Sequence, residues 1–145
     1  SAYNIAVHRH TPEIEQELSA LAKTNVLISF SPHLVPMTRG MLSTVYINLK
    51  QDMSSENLIE YFQNFYKDEP FVRILPLGEY ANSHFTVSSN FCDIGVHVDK
   101  RNQRAIITSA IDNLIKGASG QAVQNMNLML GISETTGLNF PGIFP

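Results

Sequence analysis

The chain has 145 residues, ten basic and thirteen acidic side chains, and a formal net charge of −3. At 43% apolar and 16% charged it can build one globular domain with a sizeable core. Mild acidity speaks against a general nucleic-acid binder, and no apolar run reaches the roughly 18 residues of a membrane helix. The one cysteine excludes an internal disulfide framework and an all-cysteine zinc site, and it suits a reducing cytosol.

No secretory signal is read at the start of the chain. Thr11-Pro12-Glu13 predicts a helix start, with Thr11 as cap, proline in the first turn and a carboxylate at the positive end of the dipole. Ile14, Leu18, Leu21 and Ala22 then share one helical face. Val26 to Phe30 reads as a short buried strand. Ser31 to Gly40 carries two prolines and a closing glycine, which makes it a loop. Val45, Ile47 and Leu49 alternate with polar neighbours as in a half-buried strand. Ser54 or Ser55 caps a second helix with Leu58, Ile59, Phe62, Phe65 and Tyr66 on its apolar face, and Glu69-Pro70 ends it.

Phe71 to Leu75 is expected as strand and Pro76 to Asn90 as irregular chain. Ile94, Val96 and Val98 alternate with Gly95, His97 and Asp99, and a polar turn at 100–103 leads into Ala105 to Ile111, which is an antiparallel hairpin. A last helix is expected over about 118–130, with Ala122, Val123, Met126, Met129 and Leu130 as its apolar face and Gly131 closing it. The tail from Ser133 to Pro145 is turn-rich and expected on a surface. Together these elements predict an α+β fold: a mixed, largely antiparallel sheet with helices on one face. The opposite, apolar face would then need covering, so a two-fold homo-oligomer is expected through it. The sequence has neither of the common glycine-rich phosphate loops.

Three clusters hold chemistry. His8-Arg9-His10-Thr11-Pro12-Glu13 sets two imidazoles and a guanidinium before a helix N-terminus, with a carboxylate in its first turn. Histidine suits proton transfer near neutral pH, arginine forks onto carboxylate or phosphate, and the helix end adds positive potential. The cluster therefore fits an anionic substrate that needs proton transfer; a polar capping loop, or a His-x-His zinc pair, would use the same residues. His33 and Arg39 lie in the proline-bracketed loop. Asp112-Asn113 with Lys116 to Gln121 supplies small residues that let a backbone approach closely. Cys92, beside Asp93 at a strand entry, reads as structural because the carboxylate disfavours a thiolate.

These clusters lie in the stretches AVHRHTPEIEQEL, FSPHLVPMTRGMLSTVY, FYKDEPFVRILP, SNFCDIGVHVD and SAIDNLIKGASGQAVQNMNLMLG. With them the chain closely resembles the C-terminal part of the N-acetyl-gamma-glutamyl-phosphate reductases. The resemblance implies a glyceraldehyde-phosphate-dehydrogenase-like C-terminal domain over 1–145, serving substrate binding and dimerisation in a cytoplasmic enzyme of arginine biosynthesis. That enzyme uses NADPH to reduce an acyl phosphate to a semialdehyde, through a cysteine nucleophile in a Pro-Gly-Cys-Tyr-Pro segment. Neither that segment nor a dinucleotide-binding domain is found in this sequence, and Cys92 does not correspond to the nucleophile. On the resemblance, His8 (or His10) is the acid/base, Arg9 and Arg39 contact substrate, and Glu13 orients the substrate or a histidine. Gln121 or Asn127 presents an amide to the NADP nicotinamide. No metal, nucleic acid or membrane is implied. The chain alone is expected to be inactive; the alternative is a free-standing, non-catalytic anion-binding or assembly module.

Overall fold

A computed structural model of the protein describes residues 1–143. Its contacts gather in two compact units, Ser1–Met37 and a second that begins at Thr38.

In the first unit the chain start pairs with the segment around His33. The Ser1 ammonium donates to the Leu34 carbonyl at 2.6 Å, the Tyr3 amide donates to Pro32 at 3.1 Å, and Ala2 bridges antiparallel to His33. Helix α1 (His10–Ala22) follows. It begins before the expected cap: Arg9 stands at the N-cap without a side-chain bond, and Thr11 lies inside the first turn, its amide donating to the His8 carbonyl. Pro12 fits there because early helical positions need no intrahelical donor. The helix ends at Lys23 in a left-handed conformation, φ 54°. No residue of α1 is buried, and Leu21 is 82% exposed, so the apolar face read from the sequence meets no core. Val26 to Phe30 is not a strand either. Side chains of α1 satisfy its amides instead: Val26 N–H donates to Ser19 Oγ and Ile28 N–H to Glu15 Oε1.

The second unit is built on a four-stranded sheet in the order β1-β4-β3-β2, with β1 Met41–Asn48, β2 Val72–Ile74, β3 Cys92–Asp99 and β4 Arg104–Ile111. β1 runs antiparallel to β4 from Met41 opposite Ile111 to Asn48 opposite Arg104. β3 and β4 form the expected hairpin, and β2 lies parallel to β3. The sheet is thus mixed and largely antiparallel, as expected. Helix α2 (Ser55–Phe65) is capped by Ser54, whose Oγ accepts from the Asn57 amide. Leu58 and Ile59 of α2 pack on Ile94, Val96, Val98 and Ala105 to make the core. Ser55 Oγ accepts from the Val98 amide, which pins the helix start to the strand. Phe65, expected on the buried face, is 68% exposed.

The other face of β3 is covered by irregular chain. A Cβ on Gly95 would stand 2.9 Å from the Glu79 carbonyl oxygen and 3.0 Å from Tyr80 Cα, so only glycine lets that segment lie so close. The Ala81 amide donates to Thr108 Oγ1 there. Strand β1 lies beyond this cover, at the sheet edge. All eight of its residues are exposed, where the alternation predicted half burial. A π-helical turn (Ile115–Ser119) leads into α3 (Gly120–Met129), two residues later than expected. Leu138 of the tail is buried rather than surface-lying. Phe144 and Pro145 lie outside the described residues.

Gly95→Ala should destabilise the protein by about 1–3 kcal/mol, the usual cost of overpacking. Equilibrium urea unfolding will show a lower midpoint with an unchanged slope.

Candidate active-site residues

The first unit brings His8, Arg9, His10 and Glu13 to the start of α1. His8 is buried at 9% exposure and its ring stands edge-on to Tyr3, His10 and Phe30, at centroid separations of 5.5, 4.8 and 5.3 Å. The His10 amide donates to His8 Nδ1 at 3.2 Å. That bond makes Nδ1 the acceptor and assigns the neutral ring's proton to Nε2. Arg9, His10 and Glu13 are exposed. Glu15 spends an oxygen on the Ile28 amide, and the ring of His33 shares a proton with the Ser31 carbonyl at 2.9 Å.

In the second unit Arg39 is committed at one nitrogen. Its Nη2 donates to Asp112 Oδ2 at 2.7 Å. Asp112 is fully buried and takes three more donors: the Ser88 amide on Oδ2, and the Leu114 and Ile115 amides on Oδ1. Burial pushes this carboxyl up, but the amides of Ser88, Ile115 and Leu114 and the Arg39 guanidinium together hold it below the usual carboxylate value. The loop before β1 is fixed beside it. Gly40 has φ +103°, a Cβ there would lie 2.7 Å from Ser83 Cβ, and its amide donates to Asn113 Oδ1.

Helix α3 buries its polar side. Gln124 Oε1 accepts from Asn90 Nδ2 at 2.9 Å and from Lys116 Nζ at 2.8 Å, and its Nε2 donates to Glu134 Oε2 at 2.8 Å. Lys116 also sits 5.5 Å from the Phe71 ring centre. Burial pulls the Lys116 amine below its usual value against the opposing pull of Cys92, Glu134 and Glu69. Gly120 packs on Asn90 Oδ1 and Ile115, so its lack of a Cβ serves a close contact inside this unit. The expected apolar face is therefore outermost: Met126 is 49%, Met129 86% and Leu130 67% exposed.

This geometry separates the two amides assigned to the cofactor. Asn127 is buried and spends both Nδ2 hydrogens on the Glu134 and Thr136 carbonyls, so it has none to give a nicotinamide. Gln121 is half-buried and pairs with Asn125 across one helical turn. Cys92 is half-buried; burial raises its thiol, Lys116 opposes this and Asp93 adds to it, which disfavours a thiolate. Sequence reading missed the two-pronged Arg73–Asp93 pair, at 2.5 and 2.9 Å, and the network around Gln124. Asp93 beside a strand entry was the one visible sign of the first.

Residues 1–113 match the family model described as semialdehyde dehydrogenase, dimerisation domain. The chain belongs to the semialdehyde dehydrogenase dimerisation-domain family. The chain is 54% identical to the N-acetyl-gamma-glutamyl-phosphate reductase of Pelotomaculum thermopropionicum, over 99% of this chain and 42% of that protein. It is 56% identical to the protein of that name from Desulforamulus reducens, over the same shares of each chain. The chain thus spans about two-fifths of these relatives' length. The crystal structure of aspartate semialdehyde dehydrogenase II from Vibrio cholerae superposes with a TM-score of 0.62 at 14% identity, over 85% of this chain and 37% of that one. The likeness places the α+β fold among the semialdehyde dehydrogenases. Among the described residues no helix is long and apolar enough to cross a membrane.

Because the Asp112 carboxyl is held below its unfolded value of about 4, its contribution to stability is complete above that pH and is lost as pH falls through the lower folded-state value. Asp112→Asn should flatten this acid limb in a series of urea midpoints taken from pH 6 down to pH 2, against the unaltered protein.

Proposed function

We propose that this chain is the substrate-binding and dimerisation part of an N-acetyl-gamma-glutamyl-phosphate reductase. The whole protein would reduce N-acetyl-glutamyl 5-phosphate to N-acetyl-glutamate 5-semialdehyde in arginine biosynthesis, releasing phosphate, in the cytoplasm. Identity above 50% to reductases of that name, over 99% of the chain, carries this reading. NADPH supplies hydride when bound. On this chain its contact falls to Gln121, whose side chain stands on α3; the described residues offer no glycine-rich phosphate loop, so most of the cofactor site lies elsewhere in the protein.

His8 takes the acid/base role. Three neighbouring rings hold the imidazole with Nε2 as the nitrogen not engaged by the His10 amide; to take a proton at Nε2 the ring must carry its own on Nδ1, so the amide bond to Nδ1 has to give way when the site works. His10 supports it through its main chain. Arg9 and Glu13, exposed at the helix start, and Arg39 are the substrate contacts: the guanidiniums for carboxylate or phosphate, the carboxylate for a polar hydrogen. Exposed apolar residues of β1 (Met41, Leu42, Val45, Tyr46 and Ile47) support a homo-oligomeric contact at this end of the sheet. Cys92 is no nucleophile, so this chain alone is inactive.

His8→Asn in the whole enzyme should lower single-turnover hydride transfer about 10²–10⁴-fold, the range of a lost general acid/base. His10→Asn keeps the backbone donor and should cost far less. Equal losses, or none, would remove His8 from this role. Joining the chain to its missing part by co-expression should restore NADPH-dependent turnover that the chain alone lacks.

A further inference from the structure

The Arg39–Asp112 pair lies 73 residues apart in sequence and ties the loop before β1 to the end of β4. It is a one-pronged pair. Only Nη2 of the guanidinium bonds the carboxylate, the side chain stays 33% exposed, and Nε is buried with no partner among the described residues. Arginine and carboxylate frequently pair two-pronged, as Arg73 and Asp93 do. Asp112 is bound by three main-chain amides besides Arg39, so its charge is shared among four donors and neutralises the guanidinium only in part.

We propose that Asp112 is a positioning residue: it clamps Arg39 at Nη2, with Nε buried, so that the remaining Nη donors present a fixed, still positive edge to the phosphate or carboxylate of the substrate. This rests on the reductase reading for the identity of the anion. Asp112 is suited to the task because its own orientation is set by the backbone at Ser88, Leu114 and Ile115, and the main chain next to Arg39 is held by the Gly40–Asn113 bond. A lysine at 39 would keep the charge and lose the planar fork that makes anchoring and presentation possible at once.

Two measurements on the whole protein test this, with inorganic phosphate as the probe because it is the product expected of the reaction. In nitrogen-15 spectra of the guanidiniums, Arg39 should show separate Nη signals, since the clamp slows rotation, and these should shift saturably with added phosphate. A single averaged signal, or no phosphate response, overturns the proposal. In steady-state kinetics Asp112→Asn and Arg39→Gln should each raise KM for the acyl phosphate about ten-fold or more with kcat within about three-fold, and the double variant should be no worse than either. A folded Asp112→Asn protein with unchanged KM, or effects that multiply, overturns it. If Asp112→Asn does not fold, the spectra of the unaltered protein decide. If the unaltered protein turns over no acyl phosphate, the reductase reading fails, and the phosphate response of Arg39 still decides the clamp.

Discussion

The second unit is organised by the buried charge of Asp112. A carboxylate taken out of water costs several kcal/mol unless its lone pairs are met. Here four donors meet them, and they come from three separate segments: the loop before β1, the irregular chain at Ser88, and the turn after β4. Each segment is thereby fixed relative to the same two oxygens. The start of β1, the end of β4 and the π-helical turn toward α3 cannot shift independently without leaving a charge or an amide unpaired. Gly40 completes the junction by letting the loop pass against Ser83 with a positive φ.

The same economy of buried polar groups explains why α3 is turned inside out. Gln124 alone meets Asn90, Lys116 and Glu134, and Asn127 closes the turns that follow the helix. A satisfied network of this kind specifies one orientation, since rotating the helix by a quarter turn would strand several buried groups at once. Its methionines and leucines are left outward as a result.

Local pattern was a good guide where local contacts decide. The β3–β4 hairpin follows from strict alternation around a polar turn, and α2 from a serine cap and an apolar stripe that the core accepts at Leu58 and Ile59. It failed where burial depends on what lies alongside. The alternation of β1 is real, but α2 sits over β2 and β3, so neither face of β1 is covered. Periodicity assumes that the apolar side of a helix faces in, which α1 contradicts; the outward apolar face of α3 is the one the resemblance assigns to the cofactor domain. For the candidate site, residue type and order marked His8 and Arg39. The Phe30 ring against His8 and the carboxylate beneath Arg39 are long-range facts with no local signature.

Strand β1 has one more consequence, for handling the protein outside its natural assembly. Met41–Asn48 is eight residues without a charge or a proline, at a sheet edge and exposed on both faces. Such a segment is a template for intermolecular β-pairing. Sequences commonly guard such stretches with flanking charges, and here Arg39 and Lys50 stand two residues beyond either end. Arg39 is half-buried and tied down by Asp112 while Lys50 is exposed, so Lys50 is the stronger gatekeeper. Acetylation or loss of that one lysine would tip the separated chain toward self-aggregation.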